Sequence, residues 1–140
     1  MTQAHEDTIG ACGDDCSYCL RYKATLSRNT EELKRIKDLW VSFGWRDAKI
    51  NWRELECRGC RKENKCADEN LRNCAFEKGL KNCGMCQKYP CRLIEAAFDR
   101  TETLFKTCTF KCSREDRIAL EKSFNTKKNN LDTIHKEMFG

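Results

Sequence analysis

The sequence predicts a small, mainly α domain, irregular between its helices, with little or no strand, and stabilised by metal ions bound to its cysteines. Three observations lead there. Twelve cysteines occur in 140 residues, and seven of them fall between Cys57 and Cys91. Charged residues make up 35% of the chain and mean hydropathy is -0.80, so the apolar core is thin for a length that would ordinarily fold unaided. The apolar residues that remain recur at helical spacing between residues that start and stop helices. Residues 1–8 read as a disordered polar lead, and residues 9–140 as a single cysteine-rich domain without internal repeats or a low-complexity linker.

A disulfide scaffold is the competing explanation for so many cysteines. The N-terminal residues do not form a secretory signal, and no 18-residue apolar stretch occurs, so the expectation is a soluble cytoplasmic protein with no membrane partner. In a reducing compartment clustered thiols serve as metal ligands or redox groups. The net charge of +5 gathers on residues 53–92, which carry ten basic against six acidic side chains. Lys and Arg there neutralise thiolate sites, because a four-thiolate zinc site is formally 2-. A nucleic-acid surface is the less favoured reading, since a pI near 8.6 falls short of a strongly basic domain.

Taken in order, the first constellation is Cys12-Gly-Asp-Asp-Cys16-Ser-Tyr-Cys19. Asp14 and Asp15 suit the N-cap of a short helix through Leu26. Radical enzymes hold a four-iron cluster on a CxxxCxxC triad, but they need a barrel that this chain is too short to build. The expectation is instead that the three thiols take a fourth ligand from a distant segment. Asn29 and Glu32 then form a capping box, and Leu33, Ile36, Leu39, Trp40 and Phe43 follow on one face until Gly44 stops the helix. Trp45, Ile50, Trp52 and Leu55 lie in an irregular or briefly extended connector. Their rings are expected to cover the metal region, with base stacking as the alternative.

Cys57-Arg-Gly-Cys60 and Cys83-Gly-Met-Cys86 are CxxC pairs, each placing two thiolates across one turn so that both reach one tetrahedral ion. Between them, Asp68–Lys78 reads as a short helix carrying Cys74 and ending at Gly79. Pro90 fits the first turn of a helix from Cys91 to about Asp99, which Leu104 and Phe105 would extend. Cys108 and Cys112 are four apart and either face one site or remain free thiols. Ser113 and Asp116 open a helix with Ile118, Leu120 and Phe124; Asn125–Asn130 is a polar break; Leu131, Ile134 and Met138 mark a closing helix.

These motifs resemble the bacterial and archaeal cysteine-rich family called domain of unknown function 3795. The matching residues are Cys12 to Cys19, Cys57 to Cys60, Cys74 to Gly79, and Cys83 through Tyr89-Pro90-Cys91, with Asn130-Leu131-Asp132 resembling the family's terminal helix. The resemblance spans roughly residues 9 to 136. It implies no activity, because the family has none established, and it implies that the thiols are metal ligands. Relatives carry a further Cys where this chain has Glu69, three residues after Cys66. Carboxylates seldom close structural zinc sites, so Glu69 is expected to face solvent. His5 and His135 match no family motif and are read as surface residues.

Candidate metal ligands are therefore Cys12, Cys16, Cys19, Cys57, Cys60, Cys66, Cys74, Cys83, Cys86, Cys91, Cys108 and Cys112. The expected partition joins Cys57, Cys60, Cys83 and Cys86 on one ion, and Cys12, Cys16, Cys19 and Cys91 on another. Cys66 and Cys74 either stay free or complete a site with Cys108 and Cys112. The functional expectation is a zinc-binding, zinc finger-like binding or adaptor module that meets a protein or nucleic acid, without catalytic residues or a small-molecule substrate. The alternative is an iron-sulfur protein in electron transfer or redox sensing, which thiolates equally suit, although the ferredoxin run CxxCxxCxxxCP is missing. A thiol oxidoreductase using Cys83 and Cys86 would need βαβ surroundings. Hydrolytic zinc would need an open position, usually with His or carboxylate ligands, and the chain has two histidines.

Overall fold

Short polar side chains decide where the helices begin in the computed structural model, which describes residues 8–61 and 68–140. Asp15 Oδ1 accepts from the Ser17 amide at 3.0 Å and the Ser17 hydroxyl at 2.6 Å, starting a 3-10 turn at Cys16–Tyr18. Helix α1 (Leu20–Leu26) follows with Cys19 as N-cap. The expected single helix is thus two pieces, and Asp15 alone caps the first. Thr8 is tied in, since its carbonyl accepts from Cys16 N at 2.9 Å and Ile9 bridges to Asp15. Residues 1–7 of the expected lead lie outside the described residues.

Helix α2 (Thr30–Ser42) begins where Asn29 Oδ1 accepts from Glu32 N at 3.0 Å, buries Leu33, Ile36 and Trp40, and ends at Phe43. Gly44, with φ +81, supplies the left-handed residue after it. Glu32 does not reach back to the cap; it pairs with Arg35 at 2.7 Å. In the connector, Asn51 and Glu54 form a capping box around a 3-10 turn at Trp52–Leu55, so this stretch is helical rather than extended. Helix α3 (Glu69–Glu77) ends at Lys78 and Gly79, as its residues predict.

Helix α4 (Arg92–Thr107) runs well past Asp99, where half-buried Leu104 and Phe105 continue its inward stripe. Cys91 is its N-cap, so Pro90 stands outside the helix rather than in its first turn. Helix α5 (Arg114–Phe124) starts where Ser113 Oγ accepts from Asp116 N at 3.1 Å. Only two residues separate the end of α5 from helix α6 (Lys127–Phe139), shortening the expected polar break. Lys127 is buried there, paired with Asp14 and donating to Phe124 O at 3.1 Å.

Two small apolar clusters replace one large core among the described residues. Ile9, Leu71, Tyr89, Ile94, Ala97, Leu131 and Ile134 surround Cys83 in the first. Ala24, Leu33, Ile36, Trp40, Leu55 and Leu120 form the second, under a lattice of rings. Trp40 and Trp45 meet edge-on at 5.0 Å, and Phe43 meets Phe110 the same way at 5.2 Å. Trp45 and Trp52 therefore serve the second cluster rather than covering the CxxC turns. Helix α4 spans both, giving Ile94 and Ala97 to one and Phe105 to the other. No helix among the described residues is long and apolar enough to cross a membrane.

Candidate metal centre

The first group of thiols is assembled by α1. Thr25 Oγ1 accepts from Cys57 N at 2.9 Å and donates to Arg21 O at 2.8 Å, while Arg21 Nε donates to Leu55 O at 2.7 Å. These bonds dock the segment before Cys57 alongside the turn bearing Cys16 and Cys19. Gly59, at φ +101, turns the chain so that Cys60 follows. Cys60 Sγ then accepts from Ala11 N at 3.4 Å. Burial pushes the Cys16 thiol far up, and Cys19, Asp14, Cys57 and Cys60 push it further. Cys19 is raised by burial too, while backbone N–H groups of α1 and the charge of Arg21 oppose the rise. Cys16, Cys19, Cys57 and Cys60 thus share one neighbourhood.

The second group forms around the 3-10 turn at Cys83–Met85. That turn is pressed onto α6: a Cβ on Gly84 would stand 2.8 Å from Leu131 O and 3.2 Å from Ile134 Cβ. His135 Nδ1 lies 3.0 Å from Gly84 O on the same side. Cys74 from α3 and Cys91 at the start of α4 face Cys83 and Cys86 across a cavity of about 250 Å³. The Cys83 thiol is pushed up to about 12, first by burial and then by Cys91, Cys74 and Cys86, with Lys78 opposing. Lys78 Nζ stands 3.5 Å from Cys86 Sγ. Ala11 joins the two groups, since its amide binds Cys60 Sγ and its carbonyl accepts from Cys83 N at 3.0 Å.

Three thiols lie elsewhere. Cys12 is buried beside Asp14 and Lys127, and burial followed by Asp14 raises it. Cys108 ends α4 with its Sγ 3.8 Å from Phe43 O. Cys112 packs on the aromatic cluster. Cys66 lies outside the described residues.

The expected partition is therefore redrawn. The two CxxC pairs belong to different groups, Cys12 joins neither, and Cys91 lies with Cys83 rather than with Cys16. Cys74 lies with Cys91, at the end of α4 opposite Cys108. Glu69 is exposed, as its residue type predicts. His5 lies outside the described residues, whereas His135 is half-buried against Tyr89 and Phe139 rather than on the surface.

No disulfide joins two of the described cysteines. Among the described residues no three Cys, His, Asp or Glu side chains already converge at ligand spacing. Each group is a neighbourhood of donors rather than a formed site. The donor set itself fits zinc: each group offers four sulfurs, two from one tight turn.

Sequence reasoning missed the structural partners of these thiols. His135 was detectable, falling four residues after Leu131 on the apolar face of the closing helix. Ala11 carries no side-chain signal, because it acts through its backbone.

Comparison with known proteins gives one family: the model described as "Protein of unknown function (DUF3795)" matches residues 8–96. The match takes in both thiol groups and stops within α4. No curated protein and no solved structure matches the chain.

Proposed function

The chain belongs to the DUF3795 family of proteins of unknown function, and we propose that it is a zinc-stabilised binding module. Cys16, Cys19, Cys57 and Cys60 would hold one ion, and Cys74, Cys83, Cys86 and Cys91 another. The observation that carries this reading is the gathering of eight thiols, four by four, from segments far apart in the chain. Burial favours the protonated thiol at Cys16, Cys19 and Cys83, and a divalent ion is what would favour the thiolate. Zinc bound by four thiolates has no open position for water, so the ions would supply folding energy rather than catalysis.

Arg21 beside Cys19 and Lys78 beside Cys86 would offset the excess negative charge. Arg58, Arg61, Lys88 and Arg92 are exposed near the two groups. They suit an acidic protein surface or a nucleic-acid backbone as partner. Reduced thiols of this kind belong in the cytoplasm.

Elemental analysis and a visible spectrum of anaerobically purified protein test the reading. Zinc in a colourless solution supports it. Iron with sulfide in a brown solution would replace it with iron-sulfur electron transfer or redox sensing.

A further inference from the structure

A further cavity, of about 370 Å³, opens beside α4 and is lined by none of the eight grouped thiols. Its apolar wall is built by Ala97 and Leu104 of α4 and by Phe124 at the end of α5, and Thr101 of α4 also lines it. Its charges sort into pairs and a remainder. Lys127 is neutralised by Asp14, and Arg100 by Asp68 at 2.5 Å. Arg21 spends Nε on Leu55 O and stands beside Cys19.

Arg46 is left over. Among the described residues its one hydrogen bond is Nη1 to Trp45 O at 2.9 Å, and no carboxylate there forms a salt bridge with it. Burial first, then the charge of Arg21, draw its pKa below the ordinary value, and Glu54 only partly offsets them. Glu54 already accepts from Asn51 N at 3.1 Å. A half-buried guanidinium repelled by a second one gains from an anion that meets it.

We propose that this cavity binds a small monocarboxylate with an apolar body the size of an aryl ring. The carboxylate would take the planar fork of Arg46, and the ring would lie against Ala97, Leu104 and Phe124. The fork matches a carboxylate through two parallel hydrogen bonds. A phosphate has no apolar body to lie against Ala97, Leu104 and Phe124, so it gains only the charge contact. The volume lies at the small end of ligand pockets, enough for a ring on a short chain.

The test is an NMR titration of the full-length, metal-loaded protein with 3-phenylpropanoate, alongside 3-phenylpropanol and inorganic phosphate. The carboxylate should give saturable shifts at Arg46, Thr101 and Leu104, and the other two compounds should bind at least several-fold more weakly. Arg46→Gln should weaken binding by about tenfold or more. Thr101→Trp, which fills the cavity and leaves Arg46 in place, should abolish it. Absence of saturable shifts in the unaltered protein overturns the proposal, as does equal binding by phosphate or by Arg46→Gln. If Arg46→Gln fails to fold, undiminished binding by Thr101→Trp overturns it instead.

Discussion

Cys91 and Cys108 stand at opposite ends of one helix, as N-cap and C-cap of Arg92–Thr107. At 1.5 Å per residue they are about 25 Å apart. No mononuclear site can include both. Cys108→Ser with Cys112→Ser should leave the bound metal unchanged, whereas Cys91→Ser should remove one ion per chain. Metal analysis of both proteins checks this, and loss of an ion on changing Cys108 and Cys112 would show that they ligate.

Arg35 grips Asp116 across 81 residues, with Nη1 at 2.7 Å from Oδ2 and Nη2 at 3.1 Å from Oδ1, tying α2 to α5. The hydrogen bond from Arg35 holds the Asp116 carboxyl below its ordinary value of 3.8. A depressed folded value means that the bridge stabilises above that ordinary value and is lost as pH falls through the folded one. Half of Arg35 faces water, so Asp116→Asn should cost only about 1 kcal/mol at neutral pH. Denaturant titrations should show that gap closing below about pH 4. A gap that persisted under acid would remove the charge from the explanation.

Gly84 leaves no room for a side chain between the second CxxC turn and α6. Gly84→Ala should destabilise the protein by about 1 to 3 kcal/mol through contact with Leu131 O. Because the same turn carries Cys83 and Cys86, metal affinity should fall with it. Chemical denaturation and a chelator competition measure the two separately, and an unchanged midpoint would mean that the helix yields easily.

Both apolar clusters are small, so the thiol groups should carry much of the stability. Structural zinc is worth on the order of 10 kcal/mol in small domains, as much as the whole stability of an ordinary one. Removing the metal with a strong chelator should abolish the cooperative melt and the helical circular dichroism. A helical signal and cooperative melt that survived complete metal removal would place the stability in the apolar clusters alone.

Local chemistry made the helix starts legible. Asn29 and Ser113 cap as their positions predict, and Gly44 and Gly79 end helices where they should. What failed depended on distant partners. The start of α6 at Lys127 follows from a buried pairing with Asp14, 113 residues away, and nothing near Asn125 signals it. The thiol types were equally plain, but spacing groups cysteines by nearness in the chain. The pairing of Cys57 with Cys16 depends on the hydrogen bonds that Thr25 accepts and Arg21 donates, and that of Cys74 with Cys83 on how α3 lies against α4. Trp45 was misplaced for the same reason, since ring packing against Phe110 and Phe124 leaves no periodic trace.

The partition of the thiols is tested most directly by anomalous scattering at the zinc edge from crystals grown anaerobically. The predicted result is one peak bound by Cys16, Cys19, Cys57 and Cys60, and a second bound by Cys74, Cys83, Cys86 and Cys91. A single peak shared by Cys57, Cys60, Cys83 and Cys86, or a disulfide within either group, would contradict it.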